Sequence, residues 1–267
     1  MKLVLSILTM GTLYAFTACS QNANQGNNAI IANVDSLNYK KENCDLANKI
    51  KQNPENYPDF NFFDTICSSI EVSTLKYTFE SSAITQKINA KLQKELLSDF
   101  GMNETPYPSM EALINSVDEE DSGFNATIGM ETVTNKNKVL TVQIWQEYYG
   151  HGAAHPMYYS NYYTFNTASG DLIKLEDLFQ DNTIPHVTLI GRKQFIKENG
   201  ADGWDFTNGS GDFFLSKNFK FDDKGLTFFY NLYEIGPYVM GAPSFTIKYS
   251  DLKNLIKPGS LIEAFIN

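Results

Sequence analysis

The stretch GFNATIGMETVTNKNKVLTVQIWQEYYG, Gly123 to Gly150, decides the fold class. Phe124, Ala126, Ile128 and Met130 alternate with mostly polar neighbours, and after TNKNK the alternation resumes at Leu140, Val142 and Ile144. A period of two sends successive side chains to opposite faces of a strand, so this segment reads as a β-hairpin with one face in a core. MYYSNYYTF then continues as a third strand. On it Tyr158 and Tyr162 face one way, while Tyr159, Tyr163 and Phe165 face the other.

Outward from the hairpin the period changes. Ile84, Ile88, Leu92 and Leu96 recur every fourth residue behind Ser81 or Ser82, which predicts a capped helix closed by Gly101 after Phe100. A second helix is expected from Ser109, with Met110, Leu113, Ile114 and Val117 on one side and the acidic DEED at its end. SIEVSTLKYTFE reads as a strand. A helix runs from about Pro185 to Gly200, a hairpin turns between Asp222 and Gly225, and a strand at Ser244 to Tyr249 leads into a Ser250-capped helix ended by Pro258. Helices set among hairpin-connected strands, without regular βαβ alternation, predict an α+β fold with mainly antiparallel sheet and packed helices.

The chain has 267 residues, 42% hydrophobic and 13% aromatic, enough to bury a sizeable core. Its first residues, MKLVLSILTMGTLYAFTACS, carry one positive charge at Lys2, an apolar run from Leu3 to Phe16 and small residues before Cys19. That pattern is a secretory leader over residues 1–18; its apolar run is too short for a membrane span. FTAC resembles a bacterial lipobox, with Phe16 where leucine is usual. Cys19 then becomes the lipidated mature N-terminus in the cell envelope; ordinary cleavage after Ala18 is the alternative. Residues 19–38 read as a flexible tether, 39–121 as a helix-bearing N-terminal part and 122–267 as a C-terminal α+β part.

In an oxidising compartment Cys44 and Cys67 are expected to form a disulfide, although two separately buried thiols would give the same sequence. Net charge is −10, and −11 once Lys2 is removed. Phosphate binding needs a basic patch and the lysines do not cluster, so nucleic acid is a poor partner. A cationic partner is electrostatically favoured.

Candidate chemistry centres on WQEYYGHGAAHPMYYSNYYTF, Trp145 to Phe165. His151 and His155 have the spacing that pairs imidazoles on a helix, but Gly150, Gly152 and Pro156 bracket them and the flanks alternate like strands. No glutamate lies between them to act as a general base. NGSGD around Ser210 lacks the nucleophile elbow, because position 208 is Asn. No motif calls for a cofactor. The tyrosines instead suit recognition, since each combines a large ring having few rotamers with a hydroxyl for a wet rim. Packing against the sheet is the competing use.

YYGHGAAHP, followed by YYTFNTASGDLIKLEDLF and GLTFFYNLYEIGPYVMGAPSFTIKYSDL, resembles the RsiV-like family of extracellular modules, found in the anti-sigma factor RsiV and the N-terminal part of the deacetylase PdaC. The similarity covers roughly Ser68 to Pro258. It implies a two-part α+β module that in RsiV recognises lysozyme, a basic protein. The sequence contains no recognisable sigma-binding segment or deacetylase domain, so signalling and deacetylation are not implied for this chain.

The expectation is therefore a lipid-anchored envelope protein, touching the membrane through its anchor alone, that binds a lysozyme-like protein or peptidoglycan without catalysis. Trp145, Tyr149, His151, His155, Tyr158, Tyr159 and Tyr238 are the candidate ligand-binding residues. The alternatives are a metal-dependent envelope hydrolase using His151 and His155, and a structural accessory subunit.

Overall fold

The computed structural model describes residues 16–17, 32–59, 62–98, 105–118, 123–204 and 213–266. Most of the expected leader, Cys19, Gly101, Ser210 and the last three residues of DEED lie outside them. Strands β1 (Phe16–Thr17), β2 (Asn33–Asn43), β3 (Ser68–Thr78), β4 (Phe124–Lys136), β5 (Val139–Gly150), β6 (Met157–Asn166) and β7 (Asp171–Leu172) form one sheet in chain order. All neighbours are antiparallel except β3 and β4.

Strand β2 takes in residues 33–38, so the expected tether gives way to strand there. Few apolar residues mark it, and the ladder to β3, running from Asn33↔Thr78 to Asn43↔Ser68, recruits it instead. After β2 comes α1 (Asp45–Gln52), and the Cys44–Cys67 disulfide closes the segment between β2 and β3.

The parallel crossover from β3 to β4 carries α2 (Ser82–Leu97) and α3 (Met110–Asn115). Ser81 caps α2 by accepting from the Ile84 N–H, and Ser109 caps α3 by accepting from Ala112. The apolar stripe of α2, including Ile88, Leu92 and Leu96, packs with Leu113 and Ile114 against Ile70, Val72, Ile128, Val142, Ile144 and Phe165. Each fully buried aliphatic or aromatic side chain there contributes about 1.5–3 kcal/mol. The expected hairpin is β4–β5, closed at Asn137 and Lys138 with φ of 55° and 62°, the positive values that a tight two-residue turn requires.

Near that turn β4 has a bulge between Thr132 and Thr134. The extra residue reverses the side-chain parity. Thr132 bonds the Tyr77 hydroxyl in the first core, whereas Thr134 is buried on the opposite face in a row with Thr141 and Thr164.

A second body is built from α4 (Leu175–Leu178), α5 (Ile184–Asn199), β8 (Phe219–Asp222), β9 (Gly225–Phe229), β10 (Ser244–Ile247) and α6 (Tyr249–Leu252). Its antiparallel sheet, ordered β10-β9-β8, shares a core with Val187 and Phe195 of α5 and with Ile262 and Phe265 near the C-terminus. Pro185 opens α5 and Gly200, at φ 82°, ends it, as expected. Helix α6 starts earlier than expected: Lys248 is its N-cap residue and Ser250 lies inside. Apart from Val139, the two cores divide the chain near residue 172. The parallel β3–β4 pairing and the shared core place the described residues of the 39–121 part in the same sheet and core as the hairpin.

Candidate functional site

The Gly150–Pro156 bend joins β5 to β6. Gly152, at φ 83°, makes the turn, and Ala153 N–H donates to the Gly150 carbonyl at 2.9 Å. The His151 N–H donates to the Gly123 carbonyl at 2.6 Å, tying the bend to the start of β4.

The two histidines have separate surroundings. His151 Nε2 lies 2.8 Å from Asn125 Oδ1. The Asn125 amide nitrogen donates to Ser69 Oγ at 2.7 Å and to the Cys67 carbonyl at 3.4 Å, so its oxygen is the acceptor and His151 Nε2 carries the proton. Burial pushes the His151 imidazole below its ordinary pKa, against an upward pull from Asp64. His155 Nδ1 donates to the Pro156 carbonyl at 3.2 Å, leaving Nε2 to accept from the Tyr233 hydroxyl at 3.2 Å. Its ring stacks on Tyr238 with centroids 3.5 Å apart and planes 18° apart.

Around that stack lies an aromatic corner. Tyr158 is 44% exposed, Tyr233 53% and Val239 88%, far more than a core would leave to water. Tyr233 has φ 64°, a left-handed conformation that is strained for a bulky residue and common at functional sites. Glu147 lies opposite Tyr158 across the β5–β6 ladder, and burial, with the Glu147 charge adding to it, raises the Tyr158 hydroxyl above its ordinary pKa.

The structure brings His155, Tyr158 and Tyr238 together at this corner. Trp145 and Tyr149 share the adjoining face of the sheet, through the cross-strand pairs Gly129↔Trp145 and Asn125↔Tyr149. Tyr159 does not join them: it points to the opposite face and packs, half-buried, against the first core. The expected alternation along β6 therefore holds, but it removes Tyr159 from the surface. Tyr233 and Val239 were not anticipated, because a single tyrosine and a single valine in a loop carry no periodic signal. Asn218 and Asn231 were missed as well. Their side chains accept from the Tyr162 and Ser160 N–H groups at 2.8 Å each, covering the edge of β6 that β7 leaves unpaired. A cleft of about 530 Å³ beside them is lined by Asn161, Tyr162, Tyr163 and Glu234 and holds none of the expected ligand-binding residues.

Metal ligation finds little support in these positions. Each imidazole is committed to a different partner. Among the described residues the one grouping of three potential ligand residues is Glu42 with Cys44 and Cys67, whose sulfurs are in the disulfide.

Residues 176–250 match a family described as "Protein of unknown function (DUF3298)". That region holds α5 and the three-stranded sheet, including Tyr233 and Tyr238; the glycine-alanine bend lies before it. A DUF3298 family member from Bacteroides fragilis has a similar structure, with TM-score 0.67 and 17% identity over 90% of this chain and 99% of that one. A DUF3298 family protein from Pseudomonas aeruginosa PAO1 gives TM-score 0.61 and 15% identity over 84% and 94%. The α+β fold is thus the fold of these DUF3298 structures. No curated protein matches the chain.

Proposed function

We propose that this protein is a lipid-anchored component of the bacterial envelope, an RsiV-like module that binds a basic, lysozyme-like protein without catalysis. The observation that carries the reading is the stacked His155–Tyr238 pair rimmed by exposed Tyr158, Tyr233 and Val239. Solvent-facing aromatic clusters on a rigid sheet make good anchors, because burying them against a partner immobilises few rotamers. A net charge of −10 favours a cationic ligand and speeds its approach. The Cys44–Cys67 disulfide suits an oxidising compartment, and Cys19 supplies the anchor in this reading.

Calorimetry of the purified protein with hen-type lysozyme at low salt tests the proposal. Binding is expected, and the double variant Tyr158→Ala, Tyr233→Ala should weaken it by about 2 kcal/mol or more, the scale of an interface hot spot. Absence of heat with lysozyme, together with retention on purified peptidoglycan, would move the assignment to a glycan. Unchanged binding by the double variant would take the site away from this corner.

A further inference from the structure

On the sheet face turned away from α2 and α3, the outward positions of neighbouring strands form rows. One row runs Asn38, Ser73, Gly129, Trp145, Ser160. Gly129 leaves a gap in it that Trp145 fills: a Cβ on Gly129 would stand 2.4 Å from the indole ring. The ring lies across bare backbone and belongs to neither core. Trp145 is half-buried, and among the described residues no cation or other ring lies against it, so part of an indole, the best cation-accepting ring among side chains, remains free for a cation.

Carboxylates flank it on both sides. Glu147 is two residues along β5, and Glu131 is two residues along β4 from Gly129; both are exposed. Each acid is two positions, roughly 7 Å, from the Gly129–Trp145 row and on opposite sides of it, so their backbones are about 14 Å apart and a guanidinium over the ring can reach either carboxylate. The Glu131 carboxylate has no hydrogen bond or ion pair among the described residues; of the cations on this face, Lys40 in the Glu147 row is paired with Glu71, and Lys220, over the Tyr162 ring near Glu131, is paired with Asp222. An unneutralised acid beside a partly open indole is complementary to a cation that is also flat.

We infer that this open face is a docking site for an arginine side chain of a basic protein partner, its guanidinium lying over Trp145 between Glu131 and Glu147. Arginine fits better than lysine, because a planar guanidinium stacks on a ring while its fork donates to a carboxylate; an ammonium is a compact, strongly hydrated point charge. The inference rests on the recognition role proposed above, but it occupies different residues from the His155 corner, which it meets at Tyr158.

The probes are hexa-arginine, hexa-lysine and cellohexaose, titrated at low salt into the full chain while tryptophan fluorescence is followed. Hexa-arginine is expected to perturb the emission and to bind about fivefold tighter than hexa-lysine, the range of an exposed cation–π contact. Glu131→Gln, a surface change that leaves packing alone, should weaken hexa-arginine about tenfold, and Trp145→Leu should erase the preference over lysine. Equal affinity for the two peptides, indifference to Glu131→Gln, or preferential binding of cellohexaose would each overturn the inference. Lysozyme binding that is lost in the Tyr158→Ala, Tyr233→Ala variant but unchanged in Glu131→Gln would overturn the arginine site and leave the proposed function standing. Hexa-arginine binding that depends on Glu131, without any binding of lysozyme, would keep the site and remove lysozyme as the ligand.

Discussion

The two faces of strands β4 to β6 are made from the same alternating segments, yet they differ in almost every property. One carries Ile128, Val142, Ile144 and Phe165 into a core sealed by α2 and α3. The other carries Trp145, Glu147, Tyr158 and Ser160 and stays open until the second body meets it, where Tyr162 stacks on Phe229 at 4.1 Å and the Thr134, Thr141 and Thr164 row is buried. Tyrosine appears on both. Tyr163 is held down by a hydrogen bond to Glu95, and burial, with Glu95 adding to it, raises its hydroxyl well above the ordinary tyrosine range. Tyr158, five residues earlier and of opposite parity, is exposed. Residue type therefore says little about role here, and parity relative to the helical layer says a great deal.

Truncation should separate the faces most sharply. Phe165→Ala is expected to lose about 3–5 kcal/mol in urea unfolding, because it opens a cavity in a sealed core, while Tyr158→Ala should stay within about 0.5 kcal/mol. Comparable losses from both would mean that the open face is not open. Next in size, replacing both cysteines by serine should cost about 3 kcal/mol for the loop between Cys44 and Cys67, read as a lower urea midpoint. The loss falls on the β2 to β3 end of the sheet, so ligand binding at the aromatic corner should survive it.

Smaller still is Gly129→Ala. Its methyl would meet the indole at 2.4 Å, so the ring must move, at about 1–3 kcal/mol, and the Trp145 emission should shift to the red. An unshifted spectrum would show that the indole does not lie across Gly129.

The smallest effect is a pH dependence at His151. Its folded-state pKa lies below the unfolded value of about 6.5, so the unfolded chain takes up a proton first as the pH falls. Stability from this group is complete above about pH 6.5, declines as the pH drops below that value, and levels off beneath the folded pKa. His151→Gln should flatten that part of the stability profile; an unaltered slope would contradict the burial of the ring against Asn125.

Much of the fold was legible because local signals and the final packing agree. The β4–β5 hairpin, the α2 stripe and the Pro185-to-Gly200 helix each carry a period or a cap that survives in the structure. Strand β2 was hidden because its polar residues are stabilised by the ladder to β3, a partner a single segment cannot reveal. The site was half legible. His155, Tyr158 and Tyr238 were named together with Tyr159, and only the position of the helical layer removes the last of these. Tyr233, Val239 and the two edge-covering asparagines come from loops, where no period exists to read.

Alternation, capping residues and cysteine placement, each a property of neighbours in the chain, were enough to establish an α+β protein with an aromatic bend between two strands. Which tyrosines reach solvent, that His151 and His155 hold different partners, and that an indole rests on Gly129 with a carboxylate on either side depend on residues far apart in the chain. Side-chain direction is local, but what covers a face is decided only when the helices and the second sheet pack against it.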